Sequence, residues 1–300
     1  MTTPAPASRL VIAFRRDRII ARIRNFLSAW DFARRVNGHV LWNWDNRDVA
    51  DNAPCAFFDL FSEEGMAALA DEVSLSFMTG DAFDEQPYAK KSDAINKTTA
   101  IDLDALRGQD FGPIWYAITQ TAGGTVPRVD EKRALFQRLP IHPKIERALA
   151  EQDRRFDLKN AVSVHIRRGD MIWANYGIQK VGRVPGHPIT KSLARVFAYR
   201  YAPTPTYYRA ISGLPEDQSL VLFSDDTEVR EAFFERYKDR VLDVHAMLDQ
   251  SDFSRAQRDF VEFLLMTRTK QVLSSESAFS AYAAELGGSS LIYALAALNA

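Results

Sequence analysis

Short apolar runs alternate with longer amphipathic stretches along the C-terminal half of the chain. Apolar runs bounded by polar clusters predict buried strands, and stretches with apolar residues at helical spacing predict helices. The predicted strands cover residues 161–166, 220–224, 241–244, 272–274 and 291–293. The predicted helices begin within 207–212 and cover 227–237, 256–267 and 277–286. This alternation is typical of a parallel, doubly wound α/β sheet.

The N-terminal half has a less regular pattern of the same kind. Apolar residues at helical spacing run from Ile20 to Val36 and stop before Gly38, which predicts a helix between strands at 10–14 and 40–44. The other expected elements are a third strand over 55–60, helices over 113–122 and 143–153, and loops or an insertion over 78–112. A second α/β unit is therefore expected here.

A length of 300 residues exceeds what one hydrophobic core usually spans, so two domains are expected. Pro140 and Pro143 bracket the predicted change of domain, which gives an N-terminal domain over 1–150 and a C-terminal domain over 151–300. The single cysteine, Cys55, excludes a disulfide scaffold and a Cys-rich metal site. Neither a signal peptide nor an apolar run of about 18 residues is evident, so we expect a cytoplasmic protein without a membrane span.

The net charge of −1 conceals an uneven distribution of charge. Residues 1–35 contain eight Arg and two Asp, whereas residues 59–110 contain twelve Asp or Glu. The basic segment could face a phosphate, an anionic acceptor or the surface of a membrane, or it could be an ordinary solvated surface. A nucleic-acid partner is not expected, because the pI is near neutral and no RNA-binding motif is present.

The strand over 161–166 leads into His165, Arg167, Arg168, Gly169 and Asp170. In a doubly wound sheet, the carboxyl end of a strand faces the ligand crevice. Two guanidinium groups there would be costly unless an anion meets them, and Arg forms bidentate hydrogen bonds to phosphate oxygens. The pattern therefore favours a diphosphate ligand over a surface turn in which Arg and Asp pair with each other.

Two further predicted strands also end in polar residues. Asp225 and Asp226 follow the strand over 220–224, where a carboxylate could accept hydrogen bonds from a base or a ribose, or could cap the next helix. Ser275 and Ser277 follow the strand over 272–274 and open a helix, and a helix N-terminus offers free N–H groups to an anion. Simple serine capping would explain the last pair alone, but three such strand ends in one sheet favour a shared diphosphate pocket.

The segments 165–170, 222–226 and 274–280 resemble, in order and spacing, the three motifs of the GDP-fucose-dependent fucosyltransferase superfamily. That group includes the α1,2- and α1,6-fucosyltransferases and the protein O-fucosyltransferases. Residues 207–211 look like a helix start of the α1,2 enzymes. Segments 22–30 and 40–44 resemble the first helix and second strand of the rhizobial-type α1,6 branch, which makes Arg24 and Asn25 further candidate site residues.

The resemblance implies a GT-B fold of two Rossmann-like domains that face a cleft, the C-terminal one binding the nucleotide sugar and the N-terminal one lying on the acceptor side. It implies an inverting transfer of fucose from GDP-fucose to a glycan or other hydroxyl acceptor, with no metal or other cofactor. Arg167 would contact the donor β-phosphate and Arg168 would support the motif or the nucleotide. His165, Gly169, Asp225, Asp226, Ser275 and Ser277 would complete the donor site.

The catalytic base is open at this stage. Asp170 is the first candidate because it ends the arginine motif, and His187 is the second. Asp102 and Asp104 have the Asp-x-Asp form of a metal-binding transferase, but they lie in an acidic stretch away from a predicted strand end. The first predicted strand also leads into Arg15, Arg16, Asp17 and Arg18, where related chains have a glycine-rich turn.

Two alternatives remain beside fucosyl transfer. The first is an enzyme of the same architecture that uses another nucleotide sugar, because the arginine and serine motifs specify a diphosphate better than they specify a sugar. The second is a non-catalytic nucleotide- or sugar-binding protein, which the missing glycine-rich turn supports. A glycoside hydrolase fits poorly, because its carboxylate pair would leave Arg167 and Arg168 unexplained.

Overall fold

The computed structural model describes residues 8–14, 19–44, 55–79, 111–117, 129–168 and 202–295. The chain divides into two compact units. One unit comprises Met1–Glu146 with Ser254–Phe260, and the other comprises Arg147–Phe253 with Val261–Ala300. Residues 254–260, predicted to belong to the C-terminal domain, thus group with the first unit. Which unit binds donor and which binds acceptor stays a prediction.

The first unit is built on a parallel four-stranded sheet. Its strands are β1 (Ser8–Phe14), β2 (Gly38–Trp44), β3 (Leu75–Thr79) and β4 (Phe111–Ala117), in the order β3-β2-β1-β4. Its helices are α1 (Ile19–Arg35), α2 (Phe57–Leu60), α3 (Glu63–Val73), α4 (Val129–Arg138) and α5 (Pro143–Arg155), of which α5 continues into the second unit. The predicted strands β1 and β2 and the predicted helix α1 are confirmed.

The strand expected over 55–60 is wrong, because Phe57–Leu60 is the short helix α2. A short apolar run does not distinguish a strand from a buried helical turn. Here the Asp59 carboxylate accepts a hydrogen bond from the Ala56 N–H at 3.1 Å, which closes the chain into a turn. The Phe57 ring then packs edge-on to Trp42 at 5.1 Å, in an aromatic core that also contains Trp44 and Phe61.

The helix expected over 113–122 is also wrong within the described residues, because Phe111–Ala117 is the edge strand β4. Residues 118–122 lie outside them, as do residues 80–110 of the stretch expected to form loops; Met78 and Thr79 belong to β3. Between the pairs Ser8↔Phe111 and Leu10↔Ile114, β4 contains one residue more than β1. Pro113 has no N–H to donate, and sheets accommodate proline at edges and bulges of this kind.

The second unit is built on a parallel five-stranded sheet. Its strands are β5 (Val162–Ile166), β6 (Leu220–Ser224), β7 (Val241–Leu242), β8 (Gln271–Ser274) and β9 (Ser290–Tyr293), in the order β7-β6-β5-β8-β9. Its helices are α6 (Thr204–Ser212), α7 (Thr227–Tyr237), α8 (His245–Gln250), α9 (Arg255–Met266, entering from the first unit) and α10 (Ala278–Gly287). The alternation predicted for this half is confirmed, although β7 stops two residues earlier than expected.

Strand order locates the ligand side of this sheet. The chain builds β5, β6 and β7 outward in one direction and then returns past β5 to add β8 and β9 on the other side. Because parallel crossovers are right-handed, the helices that follow these two directions lie on opposite faces. Ligands of such sheets bind outside the carboxyl ends of the strands where the order reverses. In this unit the reversal falls between β5 and β8.

Gly287 marks a close approach between the end of α10 and the chain after α9. A Cβ atom at Gly287 would lie 2.2 Å from the Thr267 carbonyl oxygen and 2.8 Å from the Thr267 carbonyl carbon. Backbone atoms cannot move aside as the end of a flexible side chain can, so only glycine fits. Gly213, after α6, has ordinary space, because its nearest contact would be the Ala210 carbonyl oxygen at 3.5 Å.

We expect Gly287→Ala to lower the free energy of unfolding by about 1–3 kcal/mol or more, because overpacking against backbone forces the two segments apart. Gly213→Ala is the matched control and should leave stability near the wild-type value or slightly above it, because alanine restricts the unfolded chain. Thermal melting of both variants by circular dichroism tests this. Equal melting temperatures for the two variants would contradict the close approach.

Candidate functional site

The predicted strand ends converge in the second unit. β5 is central, and its residue His165 pairs with Phe223 of β6 on one side and with Ser274 of β8 on the other. Residues that directly follow these three strands therefore meet at one edge of the sheet. The edge includes the reversal of strand order between β5 and β8, where a doubly wound sheet binds its ligands.

Arg168 is a buried guanidinium, with 4% of its surface exposed. It donates to the Thr204 hydroxyl at 2.9 Å and to the Arg167 carbonyl at 3.2 Å, and its own backbone N–H donates to an Asp225 carboxylate oxygen at 2.7 Å. These bonds fix the backbone of the arginine motif and hold the Arg168 side chain inward. The half-buried Arg167 precedes it on the same fixed segment.

Asp225 and Asp226, the two acidic residues after β6, make different hydrogen bonds. Asp226 caps α7, because its carboxylate accepts from the Val229 N–H at 3.1 Å, which is the capping interpretation left open above. The Asp225 carboxylate instead reaches across to β5 and accepts the Arg168 N–H. The geometry therefore gives both carboxylates a role within the protein, and contact of either one with a base or ribose stays a prediction.

Two serine hydroxyls after β8 are buried without a partner in the described part of the chain. The side chains of Ser275 and Ser277 are 2% and 3% exposed, and neither Oγ atom makes a hydrogen bond. Ser277 occupies the N-cap position of α10, yet its hydroxyl does not cap the helix. Serine capping, the simple explanation for Ser277, therefore does not apply. Burying an unpaired hydroxyl costs free energy, so a pair of them beside a helix N-terminus indicates a ligand position.

Ser274 contrasts with these two residues. Its hydroxyl is fully buried and lies 2.7 Å from the Ser275 carbonyl oxygen and 2.5 Å from the Ser280 hydroxyl. It also lies 3.4 Å from His165 Nδ1. Ser274 is thus bonded within the protein, whereas the serine hydroxyls nearer the helix start are not.

His165 is held in its neutral form. Its ring stacks on Phe279 with the two centroids 5.6 Å apart. Burial and, to a smaller extent, the positive charge of Arg167 together lower the pKa of His165 to about 3. A neutral imidazole adds no positive charge to the strand end, so we expect Arg167 and Arg168 to supply the positive charge of the arginine motif.

Tyr207, on α6, is a residue of this edge that the sequence analysis did not include among its site residues. Its fully buried hydroxyl lies between the His165 carbonyl and the Ser275 N–H. The sequence signal was present, since Tyr207 stands in the segment that resembles a fucosyltransferase helix start. The long chain separation of its partners concealed the contact.

The other predicted site residues lie in the first unit or outside the described residues. Arg24 and Asn25 lie on α1 of the first unit, where Asn25 is 1% exposed and Arg24 is half-buried. Gly169, Asp170 and His187 fall outside the described residues, and so do Asp102 and Asp104. Among the described residues, we find no group of His, Cys, Asp and Glu side chains that could hold a metal ion. The same part of the chain contains no helix that could cross a membrane.

No protein-family model and no curated protein matches this sequence. Solved structures do resemble the fold. NodZ alpha-1,6-fucosyltransferase soaked with GDP-fucose has a TM-score of 0.51 at 16% identity, over 93% of this chain and 92% of that chain. Se-Met fucosyltransferase NodZ from Bradyrhizobium has a TM-score of 0.52 at 15% identity, over 92% and 91%. POFUT1 in its apo form has a TM-score of 0.50 at 12% identity, over 98% and 99%.

These likenesses establish an α/β fold with parallel sheets that this chain shares with fucosyltransferases. At such low identity they establish the fold alone. The residues that bear on the chemistry are those at the ends of β5, β6 and β8.

The unpaired serines make a prediction about stability that does not depend on any ligand. We expect Ser277→Ala to melt at or above the wild-type temperature, because it removes a buried hydroxyl that has no hydrogen-bond partner among the described residues. Ser274→Ala should lower the free energy of unfolding by about 1–3 kcal/mol, because it leaves buried partners unsatisfied. Melting curves of the two single variants, recorded without ligand, distinguish these outcomes. A clear loss of stability in Ser277→Ala would show that its hydroxyl is bonded within the protein.

Proposed function

We propose that this chain is a glycosyltransferase that moves fucose from GDP-fucose to a hydroxyl group of a glycan or similar acceptor. The observation that carries the proposal is the pair of buried hydroxyls of Ser275 and Ser277, which have no hydrogen-bond partner in the described part of the chain. They lie at the reversal of strand order, beside the arginine-bearing end of β5. The fold supports it, because the similar NodZ structure was soaked with GDP-fucose. The proposal includes the GT-B arrangement predicted from the sequence.

The diphosphate of the donor suits this edge of the sheet. The hydroxyls of Ser275 and Ser277 can donate to phosphate oxygens, and the N-terminus of α10 favours negative charge. Arg167 lies on the segment that Arg168 and Asp225 fix, and its guanidinium can hold two phosphate oxygens at once. Of the predicted donor-binding residues, His165 and Asp226 are expected to contact the donor less directly. The His165 ring already bonds to the Ser274 hydroxyl, and the Asp226 carboxylate already bonds to the Val229 N–H.

In the proposed reaction, an acceptor oxygen forms a bond to the anomeric carbon of fucose as the bond from that carbon to the diphosphate oxygen breaks. The electron pair of the broken bond leaves with GDP, and attack from the opposite side inverts the anomeric configuration. Negative charge grows on the leaving group in the transition state, where Arg167 stabilises it most. The acceptor proton goes to a base, for which Asp170 and then His187 are the candidates.

Binding of nucleotides gives the first test of donor choice. We expect GDP in excess of its dissociation constant to raise the melting temperature, because a ligand that binds only the folded state stabilises it by mass action. At 100 times its dissociation constant, the gain would be about 2.7 kcal/mol. UDP and CMP at equal concentration should raise the melting temperature only slightly. Equal shifts from all three nucleotides would indicate general anion binding.

Excess EDTA tests whether the reaction needs a metal. We expect the GDP shift and the transfer activity to persist in excess EDTA. Loss of activity in EDTA would indicate a metal-dependent enzyme.

Replacement of Arg167 tests the proposed role of its guanidinium. We expect Arg167→Lys and Arg167→Ala to lower turnover by roughly 100-fold or more, because neither side chain can make the paired contact with the departing diphosphate. The loss should fall on kcat more than on donor affinity, since the contact strengthens in the transition state. Arg209→Lys, at an exposed arginine of α6, is the matched control and should keep wild-type turnover.

Transfer rates and melting temperatures of these variants are measured together. An Arg167 variant that melts normally and turns over within a few-fold of wild type would reduce Arg167 to a surface residue. The proposed mechanism would then be wrong.

A further inference from the structure

Tyr207 connects the two strands between which the sheet reverses its order. Its side chain is fully buried on α6. The hydroxyl accepts a hydrogen bond from the Ser275 N–H at 2.9 Å and donates one to the His165 carbonyl at 3.1 Å. A phenol hydroxyl can do both at once, so the geometry satisfies one donor and one acceptor at the ends of neighbouring strands.

The position of this hydroxyl relates to where the sheet stops. The pairing of β5 with β8 ends at His165↔Ser274, whereas the pairing of β5 with β6 continues one residue further, to Ile166↔Ser224. Beyond Ser274 the two chains no longer pair through their backbones. The Tyr207 hydroxyl lies one residue beyond the last pair of β5 and β8. It bridges the His165 carbonyl and the Ser275 N–H, which are backbone groups that the ladder no longer pairs. It therefore sets where Ser275 lies relative to β5.

We propose that Tyr207 is a positioning residue for anion binding, and that it acts by holding Ser275, whose hydroxyl has no hydrogen-bond partner among the described residues, at the end of β8. This inference rests on the proposed function, because the anion is taken to be the diphosphate of the donor. Tyr207 itself needs no contact with that ligand. Its substitution would change how well the Ser275 hydroxyl and the α10 N-terminus fit a diphosphate.

A second contact from the same turn of α6 supports this assignment. The Thr204 hydroxyl accepts from the Arg168 guanidinium at 2.9 Å. The first turn of α6 thus reaches the arginine motif through Thr204 and the serine motif through Tyr207. Both motifs of the proposed diphosphate site are fixed by one helix that carries none of the predicted site residues.

The protonation state of Tyr207 agrees with its role. Burial raises the pKa of Tyr207 above its usual value, and the neighbouring Ser275 side chain, the Arg168 charge and the Ser275 N–H only partly oppose that shift. The hydroxyl therefore keeps its proton around neutral pH, and it can donate to the His165 carbonyl throughout that range.

The test compares Tyr207→Phe with Tyr208→Phe on the same helix. Tyr208 is half-buried and packs near Phe233, Tyr237 and Arg236, away from the strand ends. Both variants lose one phenol hydroxyl and nothing else. Calorimetric titration with GDP and with inorganic pyrophosphate is carried out on the full chain, below the melting temperature of each variant.

We expect Tyr207→Phe to bind GDP and pyrophosphate roughly tenfold more weakly than wild type, because the lost hydroxyl leaves the Ser275 N–H and the His165 carbonyl unpaired and free to shift. Tyr208→Phe should bind both ligands as wild type does. Tyr207→Phe that binds within twofold of wild type would overturn the inference.

A double-mutant cycle separates positioning from general loosening of the fold. If Tyr207 acts through Ser275, then Tyr207→Phe should cost much less affinity in a Ser275→Ala background, because the hydroxyl that it positions is already gone. Additive losses would show that Tyr207 acts only on the stability of the unit and would also overturn the inference. If Tyr207→Phe does not fold, Ser275→Ala decides alone, and wild-type pyrophosphate affinity without that hydroxyl would overturn the inference.

The wild-type titration distinguishes failure of this inference from failure of the proposed function. Wild-type protein that binds neither GDP nor pyrophosphate would overturn both. Binding of pyrophosphate without GDP would remove the GDP donor, and the Tyr207 comparison would then be decided with pyrophosphate. Binding of GDP that Tyr207→Phe leaves unchanged would overturn the positioning role alone.

Discussion

The site depends on one constraint: backbone groups buried at the end of a parallel sheet need hydrogen-bond partners after the strands have separated. Between β5 and β8 the ladder stops at His165 and Ser274, and the Tyr207 hydroxyl supplies the next pair of bonds. Between β5 and β6 the Asp225 carboxylate does the same for the Arg168 N–H. Side chains thus continue the hydrogen bonding of the sheet for one residue beyond its last backbone pairs.

These bonds give the arginine motif and the serine motif a fixed geometry before a ligand arrives. A preorganised site loses less conformational entropy on binding, and its dipoles need no rearrangement as charge develops. Ser275 and Ser277 keep their hydroxyls unpaired in the described residues while Ser274 beside them is bonded. That difference between neighbouring serines is the reason for proposing that Ser275 and Ser277 face the ligand.

The sequence was sufficient to predict the second unit because its strands are apolar runs that end abruptly in charged or small polar residues. It was insufficient where local pattern is ambiguous. Phe57–Leu60 has the composition of a strand, but the Asp59 cap on Ala56 makes it helical. Residues 113–122 were expected to form a helix, and only the pairing of Phe111–Ala117 with β1 shows an edge strand with a bulge.

The site was predictable to the same extent. Its strand ends could be placed side by side from the alternation of strands and helices, since parallel strands end on one edge. Tyr207 could not be placed, because its partners are 42 and 68 residues away along the chain. From the sequence, Asp226 could equally have capped a helix or bound the donor. Only the structure shows that its carboxylate accepts the Val229 N–H and so caps α7.

The close approach at Gly287 has a mechanical consequence for the far end of α10. A helix of this length is a stiff rod of roughly 15 Å, and it transmits a displacement along its axis with little loss. Its last turn rests against the Thr267 backbone, and its first turn follows Ser277. A change that lifts Gly287 from that backbone would therefore move the helix that begins after Ser277. The length of α10 thus makes a tight contact remote from the strand ends a determinant of where the helix dipole points.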